Sequence, residues 1–234
     1  MREGVMSAGV LFAQSTVREK VRSEEESIPE VGGWNPEDFA REQIRGLVRQ
    51  VFFSNVERPV RQVVFSAMDQ ETDVKSICRQ VGEALALETA GSVAVVGEYP
   101  QVLQNIGKYQ PKHQDGSTPL REAATRLRGN LWLVPAAEKD GLRRTTPSLH
   151  AYLGAICGEF EYSILEGPPA VESNEAMSMA QFADGIILVL SARRTRRVVA
   201  RKIKAMLDAT QARVLGTVLT DRVFPIPEGI YRRL

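Results

Sequence analysis

The stretch from Val63 to Leu87, VVFSAMDQETDVKSICRQVGEALAL, decides how the rest of the chain is read. Val63, Val64 and Phe65 form a short β-branched and aromatic run, as a buried parallel strand requires. Val74, Ile77, Cys78, Val81, Ala84 and Leu85 then recur at helical spacing, so the stretch reads as strand, turn and helix. That is the layout of a phosphate-binding loop of pattern G-x-x-x-x-G-K-[ST]. In such a loop backbone N–H groups cradle the phosphates, the Lys neutralises their charge and the hydroxyl holds Mg²⁺. Lys75 and Ser76 occupy the K-[ST] position and are the candidate nucleotide-binding residues.

Counting back from Lys75, Val74 stands at the second glycine and Asp69 at the first, so the backbone loses the freedom that close phosphate approach needs. Asp69, Glu71 and Asp73 would lie beside the triphosphate, and one Lys does not offset them. Weak ATP binding or none is the expectation. The same residues also read as the first turn of an ordinary helix, capped by Thr72 or Asp73. A calcium loop starting at Asp69 is excluded, because Val74 stands where Gly is needed and Gln80 where a late Glu is needed.

The chain of 234 residues, 43% hydrophobic and 25% charged, suits one large α/β domain with a sizeable core. A formal net charge of +1 points to no bulk polyanion partner, and no nucleic acid is expected. Cys78 and Cys157 match no metal or redox spacing, and both read as buried thiols of a reduced, cytoplasmic protein. No run approaches the ~18 to 20 apolar residues of a membrane span, and the apolar patch Gly9 to Ala13 lacks the basic leader of a secretory signal.

Residues 1–35 mix small, polar and charged side chains with Pro29, Gly32 and Gly33, and read as a mobile arm. From Pro36 to Phe53 an apolar stripe of Phe39, Ile44, Leu47, Val48 and Val51 predicts a helix, with Arg41, Arg45 and Arg49 on one flank. Further strands are expected at Ser92 to Val96, Leu131 to Val134, Tyr162 to Leu165, Gly185 to Leu190 and Arg213 to Leu219. Helices are expected before Lys108, over Pro119 to Arg128, Thr146 to Phe160, Asn174 to Phe182 and Thr195 to Thr210. This alternation predicts an α/β fold with a doubly wound, mostly parallel sheet and helices on both faces, spanning residues 36–223 with a tail at 224–234. Ligands of such sheets bind at the carboxyl ends of the strands, where Lys75, Gly97 and Glu166 fall. His113 and His150 read as surface residues, and no metal site is expected.

Several segments together resemble the bacterial tyrosine kinases of capsule and exopolysaccharide loci, in the MinD/ParA-like branch of P-loop ATPases. EYSILEGPPAV is similar to the family's second Asp-bearing strand with its Pro-Pro turn, and AQFADGIILVLSARRTRR and ARVLGTVLTDRV follow in the family's order and spacing. EQIRGLVRQVFF resembles the helix through which those kinase domains pack into rings, which implies a homo-oligomer through the 38–53 helix. The likeness spans roughly residues 37 to 223.

The departures from the family are specific. Only Lys75 and Ser76 remain of its first nucleotide motif, and Gly97-Glu98-Tyr99 stands where it has Asp-x-Asp. Glu166 replaces its strand-end Asp, Thr220 stands where an Asn commonly meets the base, and Val48 replaces the second Arg of the ring helix beside the matching Glu42 and Arg45. The resemblance makes Glu166 and Glu98 the catalytic candidates, and Tyr231 in FPIPEGIYRRL the phosphosite candidate. Phosphoryl transfer depends on tightly placed metal and charge, and with four elements altered together efficient kinase activity is not expected.

The expectation is therefore a degenerate, cytoplasmic tyrosine-kinase-like protein, a pseudokinase, that binds or regulates within exopolysaccharide or capsule biosynthesis and export. No cofactor is expected. The competing reading is an active ATP-dependent tyrosine autokinase or ATPase, using ATP and Mg²⁺. By resemblance its partner is a membrane-anchored polysaccharide chain-length regulator, which would hold it at the inner membrane. A positioning ATPase like MinD or ParA is a third reading. Pro225 and Pro227 lead to Ile230, Tyr231 and Leu234, apolar anchors suited equally to docking on a partner or folding back on the domain. Arg193, Arg194, Arg196, Arg197, Arg201, Lys202 and Lys204 crowd one segment, as a solvated face or as groups facing the nucleotide site, a membrane or an acidic partner. The segment has no interleaved aromatics for base stacking.

Overall fold

The strand that opens the decisive stretch lies in the middle of the sheet. In the computed structural model, which describes residues 9–11, 36–55, 57–97, 120–136 and 146–221, β2 (Gln62–Ala67) is buried at every position. Its side chains alternate between two cores. Val63, Phe65 and Ala67 face one cluster, and Val64 faces the other together with Met68 just beyond the strand. A strand buried on both faces needs helices on both sides, and the chain supplies them.

The elements follow in order: β1 (Gly9–Leu11), α1 (Pro36–Val48) with a π-helical turn over Arg49–Phe53, β2, α2 (Val74–Glu88), β3 (Val93–Gly97), α3 (Leu120–Ala123), β4 (Thr125–Arg128), β5 (Leu131–Pro135), α4 (Thr146–Glu159), β6 (Tyr162–Glu166), α5 (Glu175–Phe182), β7 (Gly185–Ser191), α6 (Arg197–Ala209) and β8 (Val214–Thr220). The eight strands pair in the order β1-β8-β7-β2-β6-β3-β5-β4. Every pairing is parallel except β4 with β5. α1, its π-turn and α2 cover one face, and α4, α5 and α6 cover the other. The α/β doubly wound sheet expected from the alternation is the fold found.

Two local expectations are corrected. Pro119 to Arg128 is not one helix: α3 ends at Ala123, and Thr125–Arg128 forms an edge strand. Gly129, with φ +48°, and Asn130 turn this strand back onto β5, and glycine takes that left-handed backbone without strain. Cys157 is not a core thiol. Ile156, one position earlier, faces inward, so Cys157 lies on the exposed side of α4 while Cys78 is fully buried. Inside the segment read as an arm, Gly9–Leu11 adds an edge strand to β8. The segment read as a helix before Lys108 lies outside the described residues, as do His113, Glu98 and Tyr231.

Helix α2 sits very close to the sheet. A Cβ on Gly82 would collide with the Cγ2 methyl of Val95, a fully buried side chain with no room to retreat, and would touch Leu131 Cδ1 at 3.4 Å. Gly82→Ala is therefore expected to lower stability in urea by about 1–2 kcal/mol, the overpacking penalty outweighing the gain in helix propensity. Gly46→Ala in α1, where nothing lies within 4 Å of the new methyl, is expected to raise stability by up to ~1 kcal/mol.

Candidate functional site

The carboxyl ends of β2, β6 and β7 lie side by side, with β2 between the other two. Chain leaving β2 passes through α2 to β3 on one side, whereas β7 and β8 fill the other, so this edge is the switch point at which doubly wound sheets bind ligands. The turn after β6 is pinned to β2: Ser66 Oγ donates to Pro168 O at 2.6 Å, and Gly167 N to Phe65 O at 2.8 Å. Gly167 allows this approach, since a Cβ there would meet Val64 Cγ1 at 2.9 Å and Phe65 O at 3.3 Å. Glu166, paired in register with Phe65, is thereby set at the end of β6, half-buried beside the β2–α2 turn.

That turn is organised by its own carboxylates. Asp69 Oδ1 accepts from the backbone N–H of Glu71 at 3.1 Å, from that of Thr72 at 2.9 Å and from the Thr72 hydroxyl at 2.8 Å. Asp73 is the N-cap of α2, its Oδ1 accepting from Ser76 N at 2.9 Å. The Ser76 hydroxyl accepts from the Gln80 side-chain amide at 3.1 Å. Lys75 and Ser76 are half-buried in the first turn of α2, where the sequence places them. Among the described residues positive φ occurs at Gln211, Asp221 and Gly129, and at no position of this turn. The alternation of right- and left-handed residues that builds an anion-binding nest is thus not formed here.

A second layer closes over the turn from β7 and β8. Asp221, just past β8 with φ +55°, accepts from Ser191 Oγ at 2.8 Å and from Arg194 Nη2 at 3.2 Å. The same guanidinium reaches Glu71 Oε2 at 3.1 Å and Asp69 Oδ1 at 3.7 Å. Arg194 therefore bridges three carboxylates drawn from both ends of the site. Sequence reading placed it in a cation cluster at a strand end but did not find Asp221 or Ser191, which come from separate segments. Thr220 is buried and its hydroxyl donates to Leu190 O at 3.3 Å, so it serves the β7–β8 pairing.

Cys78 lies one turn into α2. Burial pushes its thiol well above the ordinary range, and the carboxylates of Glu166 and then Asp73 push it further. In α1 and the π-turn after it, Arg41, Arg45 and Arg49 meet Asp38 at 2.8 Å, Glu42 at 3.7 Å and Glu88 at 2.9 Å. Val48, standing at the place of an Arg in the ring helix, is fully buried. His150 is exposed and lies against Phe182, ring centres 4.8 Å apart.

No protein-family model and no curated protein matches this sequence. Solved structures do. The chimerical protein CapA2B2 superposes with a TM-score of 0.62 at 16% identity, covering 79% of this chain and 86% of that one. The kinase domain of the Escherichia coli tyrosine kinase ETK does so with 0.62 at 14%, covering 88% and 86%. This is the fold of the bacterial tyrosine kinase domains. The MinD cell division protein of Aquifex aeolicus shares it more distantly, with a TM-score of 0.53 at 18% identity over 74% of this chain and 72% of that one. The turn carrying Asp69 and Asp73 lies between the central strand β2 and the helix α2 that follows it.

Two outcomes are expected. Arg194→Ala leaves Asp69, Glu71 and Asp221 facing one another and lowers stability by about 1 kcal/mol, a modest value because the guanidinium is partly solvated. Urea unfolding at rising NaCl checks this, the gap to wild type narrowing as salt screens the network. An aromatic disulfide reagent is expected to modify Cys157 in the native protein and Cys78 only on unfolding. Partial burial and the Asp184 carboxylate raise the Cys157 thiol, so its rate keeps climbing at pH above the ordinary thiol range; Cys157→Ser removes the native phase.

Proposed function

We propose that this chain is a catalytically degenerate relative of the bacterial tyrosine kinases, acting by protein association as a binding or regulatory component of exopolysaccharide or capsule assembly and export. The observation that carries this reading is the occupancy of the β2–α2 turn. The amides of Glu71, Thr72 and Ser76 are taken by Asp69 and Asp73, and Arg194 is drawn onto Asp69 and Glu71. A triphosphate entering here would have to break those bonds and then sit against Asp69, Glu71 and Asp73, with the β-phosphate nest unformed. The residues present do not fit ATP with Mg²⁺.

The working unit in this reading is residues 36–223, with 1–35 and 224–234 as arm and tail. Its partner is a membrane-anchored chain-length regulator, and the protein works in the cytoplasm at the inner membrane through that partner. Among the described residues no helix is long and apolar enough to cross a membrane. Self-association through α1 has weaker support, because Glu42 and Arg45 are exposed and paired with each other whereas Val48 is buried in the core. The competing reading, an autokinase or ATPase, draws on the convergence of Lys75, Ser76 and Glu166 at one strand edge.

A thermal-shift titration with millimolar Mg-ATP and Mg-ADP separates the two. A micromolar site would add about 4 kcal/mol at a thousandfold excess, raising Tm on the order of 10 °C for a chain of this size. We expect no shift for wild type or for Lys75→Ala. A shift in wild type that Lys75→Ala removes would overturn the proposal in favour of the enzyme.

A further inference from the structure

The cation cluster at α6 divides in two. Arg194 turns into the site, and Lys204 pairs with Asp208 at 2.7 Å. Arg193, Arg196, Arg197, Arg201 and Lys202 are exposed, and among the described residues none makes an ion pair or side-chain hydrogen bond. They occupy the β7–α6 turn and the first turns of the helix. Arg197 and Arg201 are four residues apart, as are Val198 and Lys202, so the two pairs form adjacent rows on one outward face. Val198, 77% exposed, is set among these cations. The opposite stripe, Ile203 and Leu207, is buried against the sheet and fixes the helix to the body of the protein.

Three features of this face are unfavourable in water alone. A bare valine surrounded by charge has no partner to cover it. Val171, 44% exposed, lies on the same flank, lining a groove with Val199 and Lys202. The first turn of α6 carries no acidic residue, so the cations at Arg196 and Arg197 sit at the positive end of the helix dipole. An external layer of anions that also accepts apolar side chains relieves all three.

We infer that this face of α6 docks directly on an anionic lipid surface, with Arg193, Arg196, Arg197, Arg201 and Lys202 on the headgroup phosphates and Val198 dipping into the interface. A lipid surface is favoured over nucleic acid because the patch carries exposed valine and no aromatic residue on which bases could stack. It is favoured over a simple polyanion because an anion alone has no use for Val198. With the whole chain at +1, the charge is local, and the contact would orient the molecule. Glu172 and Glu175 line the same groove as Val171, Val199 and Lys202, and their negative charge sets one edge of the footprint. The inference does not require either reading of the nucleotide site.

The test is co-sedimentation of the full chain, without any partner protein, with vesicles of phosphatidylglycerol and phosphatidylcholine in equal parts, against vesicles of phosphatidylcholine alone. Binding to the anionic vesicles only is expected, with release when NaCl rises from about 0.1 M to about 1 M and the screening length falls from about 10 Å to about 3 Å. Each cation near a surface contributes about fivefold in affinity, so Arg197→Glu with Arg201→Glu should weaken binding at least 20-fold, folding being checked by circular dichroism. Val198→Ser keeps the charge and should weaken binding severalfold. Equal binding to both vesicle types, none to the anionic ones, or an undiminished Arg197→Glu, Arg201→Glu variant would overturn the inference. So would a Val198→Ser variant that binds like wild type while duplex DNA or polyglutamate competes the vesicles away, since the face would then be a general polyanion site.

Discussion

The carboxyl edge of this sheet depends on which anion takes the backbone amides at the start of α2. Those N–H groups point out of the helix end and must be satisfied, and the helix dipole favours negative charge there. A phosphate-binding loop leaves the place to a ligand. This chain fills it internally, with Asp69 on the amides of Glu71 and Thr72 and Asp73 on that of Ser76. With these anions supplied by the chain itself, Val74 turns inward to the core. The added negative charge then attracts a counter-cation, and Arg194 reaches across from β7 to supply it. One side-chain oxygen of Asp69, Oδ2, is buried without a hydrogen-bond partner among the described residues, so the arrangement is not fully satisfied.

None of this disturbs the sheet, because the sheet rests on other residues. Val63, Val64 and Phe65 are fully buried whatever the turn beyond them binds, and α2 holds its distance through Gly82 packed on Val95. Gly167 similarly sets how closely the turn after β6 can approach β2. Core packing and site chemistry are carried by different side chains on the same elements. A fold can therefore keep a TM-score of 0.62 to a kinase domain at 14% identity while few side chains are shared.

What the sequence disclosed follows the same division. Periodicity exposed β2, α2, β6, β7 and α6 because each buries a continuous stripe, and burial writes itself into residue type. It failed at Thr125–Arg128, a short edge strand with alternate side chains in water, whose polar composition resembles an exposed helix. Gly9–Leu11 is three residues long and is defined by pairing with β8, which no local pattern records. Cys157 was misplaced by a single helical position beside Ile156. The places of Lys75 and Ser76 in the first turn of α2 and of Glu166 at the end of β6 were legible from motif spacing and strand ends. The contact of Arg194 with Asp221 was not, since it joins the turns after two neighbouring strands and rests on a left-handed backbone at a residue other than glycine.

The arginines at the β7–α6 turn show how one short segment can serve two surfaces. Arg194 and its neighbours Arg193 and Arg196 differ by one or two positions, yet the turn sends the first toward Asp69, Glu71 and Asp221 and leaves the others without an ion pair among the described residues. The inward guanidinium neutralises a local excess of carboxylate, so its charge is spent within the fold. The outward group has no such counterweight and projects its field into solvent beside an exposed valine. Both sets leave the same turn, residues 192–197, so one short segment carries charge to the carboxylates inside and to the outer face.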